Sequence, residues 1–223
     1  MTPNAAPRAR RSRLRAPRGE PHLRAFYDRD PALVARELLG AVLECRTPEG
    51  VASGRIVETE AYMGPHDPAC HAVAGNTPRT RSLFAAAGTS YVYRIYGMYW
   101  CFNAVTREAG FGSAVLVRAI EPLTGESLMH GRRPRVKARH ELTNGPGKLC
   151  LALGIDRAHD GLPLDDGPLR ILAGTTVPDA GVLVTPRIGI TKAADWPLRF
   201  LVAGSPFVSK TPRSFSRATY APR

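Results

Sequence analysis

Glu58, Glu60 and Tyr62 stand at every second position of the run VETEAY, residues 57 to 62, in a segment that reads as a β-strand. Alternate strand residues share a face, so the two carboxylates and the ring project together while Val57, Thr59 and Ala61 point the other way. Carboxylates mostly face solvent, and that is the ordinary expectation for such a strand. The alternative is a pocket in which a ring stacks a flat substrate beside a group able to take or give a proton. A second aromatic set supports the pocket: Tyr91 and Tyr93 share one face of a later strand, and His71 follows VETEAY in a loop. A lone loop histidine is more often a surface residue, so spacing alone does not place it in a site.

The strand bearing Tyr91 and Tyr93 leads into YRIYGMYW, whose glycine marks a hairpin tip. With Gly97 and Met98 as the central pair of a type II′ turn, Tyr96 and Tyr99 flank the tip. Aromatic and apolar side chains at an exposed tip suggest either a wedge that enters between base steps of a nucleic acid or packing under the loop over 63–81.

The elements that must position these residues are short. Asp30 and Pro31 form an N-cap and first helical position, followed by apolar residues at helical spacing up to Gly40. AVLEC and SGRIVETEAY flank TPEG, a hairpin signature. GTSYVYRI, YWCFNAV and SAVLVRAIEPL read as strands, NGPGKLCLALGI as a loop entering a short helix, and LRILAG, PRIGIT and LRFLVAG as short strands. Strands in hairpins, without strand and helix alternating, predict an α+β fold: one mixed domain with a mostly antiparallel sheet and flanking helices.

Charge is concentrated at the ends. The chain of 223 residues carries +12, of which residues 1–24 hold +6 (seven Arg, one Glu) and residues 210–223 hold +4, leaving +2 for the 185 residues between. Residues 1–24 are expected to be a disordered basic arm, 25–209 the folded domain, and 210–223 a basic C-terminal tail. The basic stretch MHGRRPRVKARH adds a cluster inside the domain. Such clusters suit a polyanion, and nucleic acid is the expected partner. No apolar run long enough for a membrane helix and no secretory signal is visible, so no membrane partner and a cytoplasmic location are expected: nucleoid-associated in a bacterium, nuclear in a eukaryote. A monomer is expected. Cys45, Cys70, Cys101 and Cys150 are scattered as small core residues.

Two motifs fail inspection. NGPGKL lacks the first glycine and the final Ser or Thr of a phosphate loop, and it reads instead as a helix N-terminus with Lys148 as a DNA-backbone contact. His66, Cys70 and His71 lack a fourth ligand at metal spacing, so neither a metal nor another cofactor is expected.

VETEAYMGPHDPACH, NTPRTR, GTSYVYRIYGMYWCFN, VLVRAIEPL and NGPGKLCLALGI together resemble the alkyladenine, or methylpurine, DNA glycosylase family over about residues 30–209. The resemblance implies a single domain with a curved antiparallel sheet and a protruding hairpin that enters the DNA minor groove. It implies a base-excision repair enzyme that flips 3-methyladenine, 7-methylguanine, hypoxanthine or ethenoadenine out of double-stranded DNA and hydrolyses the N-glycosidic bond. Glu60 matches the general base that activates water and Arg118 the arginine that helps hold it. Tyr62, His71 and Tyr93 match the walls that sandwich the flipped base, and Asn103 the pocket residue that crowds guanine. Tyr96 matches the residue filling the vacated duplex position, with Met98 and Tyr99 beside it. Phe102 departs from the family pattern and predicts a tighter pocket; Glu58 has no implied role. With no lysine matched to the pocket, water attack without strand cleavage is expected. The rival is a noncatalytic damaged-DNA-binding module on the same fold, and a hydrolase of free sugars fits the polycationic ends poorly.

Overall fold

A computed structural model describes residues 19–209. Its α-helices are α1 (Arg24–Tyr27), α2 (Pro31–Glu37), α3 (Glu126–Arg132) and α4 (Pro146–Leu153). Its strands are β1 (Val42–Thr47), β2 (Gly50–Tyr62), β3 (Ser90–Ile95), β4 (Tyr99–Thr106), β5 (Ser113–Thr124), β6 (Leu169–Leu172), β7 (Val182–Thr185) and β8 (Arg199–Val202). They form one eight-stranded sheet in the order β3-β4-β5-β2-β1-β6, with β8 pairing both β2 and β7. All pairings are antiparallel, as the hairpin pattern of the sequence predicts for an α+β domain.

β2 organises this sheet. Along one edge it pairs with β5; along the other it pairs first with β1 over residues 50–55 and then with β8 over 58–60. Its second half, the VETEAY run, is therefore flanked by strands on both sides, and backbone groups are satisfied while side chains alternate between two covered faces. The alternation holds across the sheet. Val92, Phe102, Ala104, Val115, Val117 and Ala61 belong to the main core, with Val34 and Ala35 of α2, its C-cap Leu38, and Leu149, Cys150 and Leu153 of α4. Tyr91, Val105 and Ala114 belong to a separate cluster under the segment after β2, with Cys70, Ala72 and Leu83. Asp30 caps α2 as its sequence predicts, its Oδ1 accepting from Ala32 N at 2.8 Å and Leu33 N at 3.3 Å. All four cysteines are free and buried.

Four expectations need correction. Ordered chain begins before Ala25: Ala173 N donates to Glu20 O, His22 N to Ile171 O, and Pro21 bridges Leu172, so part of the supposed arm extends the β6 edge. Residues 1–18 and 210–223 lie outside the described residues. PRIGIT is not a strand; the strand is β7, just before it, and 186–191 is a loop turning inward. The tip of the β3–β4 hairpin is a three-residue loop, Ile95 pairing with Tyr99. Its turn centres on Tyr96 (φ 52°) and Gly97 (φ 69°), closed by Met98 N donating to Ile95 O at 3.2 Å. Positive φ at both central residues is the type I′ pattern, which suits the strand twist, so Tyr96 occupies the tip itself in a conformation few non-glycine residues adopt.

The basic stretch is also less available to a polyanion than its composition suggests. Arg132 donates to Ala152 O and Glu49, Arg133 to the carbonyls of Glu141 and Leu142, and Arg139 to Glu126 and Pro122 O. These guanidinium groups tie α3 and its following loop to the sheet and α4. Arg135 and Lys137 remain exposed.

Candidate active site

A cavity of about 340 Å³ opens on the sheet face opposite the main core. Cavity-side residues of four strands line it: Tyr62 of β2, Tyr91 and Tyr93 of β3, Asn103 of β4, and Leu116 and Arg118 of β5. His71 and Leu83 from the segment after β2 cover it, and Ile188 to Ile190 close another side. The alternation that sends Val92 and Val115 into the core is what sends these neighbours into the cavity. Phe102 obeys the same rule in reverse: it is wholly buried in the main core and does not line the cavity, so it does not tighten the pocket directly.

His71, Tyr91 and Tyr93 form one aromatic wall. The His71 ring lies 4.5 Å from Tyr93 at 70°, and Tyr91 lies 5.2 Å from Tyr93 at 32°. His71 Nδ1 and the Tyr91 hydroxyl are 2.8 Å apart, which fixes the imidazole plane. Burial, followed by the charge of Arg79, holds the His71 pKa below its ordinary 6.5, so the ring is neutral at neutral pH. Asn103 donates from Nδ2 to Tyr91 O at 3.0 Å, fixing its amide at the base of this wall. Tyr62 stands apart from the three, contributing a separate surface of the same cavity.

Glu58 and Glu60 are both fully buried, and Arg118 joins them. Arg118 Nε donates to Glu58 Oε1 and Nη1 to Glu60 Oε2, each at 3.1 Å. The position of Arg118 comes from a register shift: Val117 pairs with Thr59 and Ala119 with Glu58, leaving Arg118 as the extra residue between them. A bulge of this kind re-aims a side chain, here toward both carboxylates at once.

The two carboxylates differ in what holds them. Glu58 accepts from Arg118, from Arg199 Nε at 2.7 Å, and from Ser209 through Oγ at 2.7 Å and N at 2.6 Å. Three of those donors converge on Oε1, and Ser209 N reaches Oε2. Burial by itself raises the Glu58 pKa, but Arg118, Arg199 and Ser209 outweigh it, and the net shift is downward. Glu60 accepts from Arg118, from the Tyr62 hydroxyl at 3.1 Å and from Ile188 N at 2.8 Å, which leaves about one site free. Its carboxylate lies behind Tyr62 and Arg118 and does not itself line the cavity. Glu58 is thus a structural hub bonded to two arginines and Ser209, whereas Glu60 is bonded to one arginine, a tyrosine hydroxyl and one backbone N–H.

At the hairpin tip Tyr96 is 81% exposed, Met98 62% and Tyr99 44%, so the loop over 63–81 does not bury them. Tyr96 also lines the cavity mouth. Tyr99 leans on the start of α4: a Cβ at Gly147 would lie 2.9 Å from Tyr99 Cβ, so only glycine admits the ring there. Lys148, in the first turn of α4, donates to Asn144 Oδ1 at 2.7 Å.

Three contributors are absent from the sequence-based set. Arg187 and Asp67 form a fully buried ion pair, and Arg187 Cζ lies 4.8 Å from the Tyr62 ring centre. Ile188 supplies the backbone N–H on Glu60. The signal lay in PRIGIT, where a Pro and Gly around an arginine mark a loop at least as well as a strand, but nothing in the sequence pairs Arg187 with Asp67. One arrangement looks chemical and is not: Cys45 Sγ lies 3.5 Å from His159 Nε2, and His159 Nδ1 3.1 Å from Asp156. Burial pushes the Cys45 thiol up to about 12 and leaves it no exposed surface, so it serves the core. Among the described residues no group of three or more His, Cys, Asp or Glu is arranged to hold a metal ion, and no helix is long and apolar enough to cross a membrane.

An aromatic cavity beside a buried carboxylate–arginine pair can stack a planar base and direct a water at a sugar carbon. A family model described as methylpurine-DNA glycosylase matches residues 25–206. Relatives named "Putative 3-methyladenine DNA glycosylase" include one from Myxococcus xanthus, 50% identical over 191 residues, covering 84% of this chain and 93% of its own length. Another, from Methanoculleus marisnigri, is 49% identical over 189 residues, covering 83% and 97%. A third, from Rhodopseudomonas palustris, is 48% identical over 202 residues, covering 89% and 96%. The chain belongs to the methylpurine-DNA glycosylase family.

Proposed function

We propose that this chain is a monofunctional DNA glycosylase that excises alkylated or deaminated purines, among them 3-methyladenine, 7-methylguanine, hypoxanthine and ethenoadenine, from double-stranded DNA. The observation that carries the reading is Glu60, buried behind the aromatic cavity, paired through Oε2 with the cavity-lining Arg118 and with one acceptor site left on Oε1 beside the Ile188 N–H. The flipped base stacks between Tyr62 on one side and His71 with Tyr93 on the other, and Asn103 crowds guanine. Tyr96 fills the vacated position in the duplex, with Met98, Tyr99 and Lys148 contacting DNA around it. Extruding a nucleotide costs a few kcal/mol, least where pairing is already damaged.

Water held by Glu60 and Arg118 attacks C1′ of the sugar. Glu60 takes a proton from it, the new C1′–O bond forms, and the electron pair of the C1′–N bond leaves with the base. The carboxylate also faces the positive charge that develops on the sugar. Among the described residues that line the cavity there is no lysine, which supports water rather than an amine as nucleophile.

The shielding of Glu60 also favours a second reading, a damaged-DNA-binding module without turnover. Single-turnover base release from duplexes carrying hypoxanthine, ethenoadenine or 3-methyladenine separates the two. Glu60→Gln is expected to lower release by about 10²- to 10⁴-fold with lesion binding retained. A wild-type protein that binds these duplexes and releases nothing supports the second reading.

A further inference from the structure

Arg187 is 1% exposed, and its guanidinium touches pieces of chain that are far apart in sequence. Nη1 and Nη2 grip the carboxylate of Asp67, 120 positions away, with Nη2 at 2.9 Å from Oδ1. Nη1 also donates to Ala61 O at 3.0 Å, the carbonyl between Glu60 and Tyr62. The guanidinium lies over the Tyr62 ring at 4.8 Å, and Tyr62 stands between it and the cavity. The next residue, Ile188, donates its N–H to Glu60 at 2.8 Å.

Asp67 extends the connection to the opposite wall. Its carboxylate accepts from Met63 N at 3.1 Å and Ala69 N at 3.0 Å, and its carbonyl accepts from Cys70 N, so it shapes the turn that delivers His71. One ion pair therefore touches the Tyr62 wall and the turn that leads into the His71 wall, and its arginine stands next to the N–H that contacts the carboxylate. Arg187 Nε is buried with no partner among the described residues. Buried ion pairs are weak sources of stability, and an orphaned donor makes this one weaker still, while the planar fork fixes geometry in a way an apolar pair of the same volume does not.

We infer that Arg187, through Asp67, is a positioning residue for base excision: it sets the gap between the Tyr62 and His71 walls and holds the Ile188 N–H on Glu60. The inference rests on the function proposed above. The test compares wild type with Arg187→Lys, which keeps the charge but loses the fork and the stacked plane. Three quantities are measured: thermal stability, affinity for a duplex containing a tetrahydrofuran abasic analogue, and single-turnover release of hypoxanthine. The abasic duplex has no base to fill the cavity, so it titrates folded, DNA-competent protein.

The expected result is affinity for the abasic duplex within about twofold of wild type and release slowed by about 10- to 100-fold, the scale of a small misplacement of reacting groups. Asp67→Asn, which keeps shape and removes the charge, is expected to behave alike and replaces Arg187→Lys if that variant does not fold. Release at the wild-type rate, or a loss no greater than the loss of abasic-duplex binding, overturns the inference. If neither variant folds, the pair is a stability element and the inference fails. Wild type that releases no base fails the proposed function itself, which is a distinct outcome from active variants beside an active wild type.

Discussion

The two faces of the sheet are buried to similar depth and built from opposite materials. Toward α2 and α4 the strands present Val92, Phe102, Val115 and Val117, an apolar surface that needs no partners beyond close packing. Toward the cavity they present Glu58, Glu60, Arg118, Arg199 and a tyrosine-rich wall, with Arg187 and Asp67 behind it. The first face gains stability from burial at about 25 cal/mol per Å² of apolar surface. The second buries charge that only complete pairing makes tolerable. The same strands supply both faces, one residue apart, so stability and chemistry are separable by register.

Removing Arg118 strikes this contrast hardest. Arg118→Met leaves two buried carboxylates short of a cation; breaking such a pair costs about 3–5 kcal/mol. Chemical denaturation should show that loss, and base release per folded molecule should fall with it. A variant of wild-type stability would mean that Arg199, Tyr62 and the Ile188 N–H suffice for the carboxylates.

On the other face, Leu153→Ala opens a cavity in the main core and is expected to cost about 2–5 kcal/mol. Here the rate of release per folded molecule should stay within about threefold of wild type, the scale on which a factor of ten corresponds to about 1.4 kcal/mol. A larger drop would show that the two faces are mechanically coupled through the strands.

The smallest effect is expected from acid. The folded-state pKa of His71 lies below its ordinary 6.5, so the unfolded chain takes up the proton more readily. The contribution is whole above pH 6.5 and is lost as pH falls below it; His22, lowered chiefly by burial, acts in the same direction. Glu58 and Asp67 are both lowered, so their contributions hold above 4.5 and 3.8 and are lost as pH falls through their depressed values. Thermal midpoints should therefore be flat between about pH 7 and 8, begin to fall near 6.5 and steepen below 4.5. His71→Gln should flatten part of the first decline, and an unchanged profile would place that titration elsewhere.

Much of the site was legible because it is local. Strand alternation in VETEAY groups Glu58, Glu60 and Tyr62 on one face, Tyr91 and Tyr93 follow by the same rule, and the family resemblance singles out Glu60 from Glu58. The α2 cap and the β1–β2 hairpin were legible for the same reason, since each is settled by a few adjacent residues. The rest was set by contacts that no local pattern encodes. Arg187 meets Asp67 across 120 positions, and the bulge that aims Arg118 exists only in the pairing of β5 with β2. The tip was misassigned because local rules put glycine first in a two-residue turn, whereas the longer loop places Tyr96 at positive φ. The departure of Phe102 from the family pattern predicts a tighter pocket, but strand alternation turns this residue into the main core, away from Asn103.

Ser209 closes the list of donors on Glu58 with both its backbone and its hydroxyl. A carboxylate at position 58 is thus completed by a residue made 151 positions later. During synthesis the arginine that Glu58 holds has only part of its support until residue 209 leaves the ribosome. The chain consequently cannot complete its buried carboxylate–arginine network piecemeal, and a fragment released early would carry the walls of the pocket without the full network behind them.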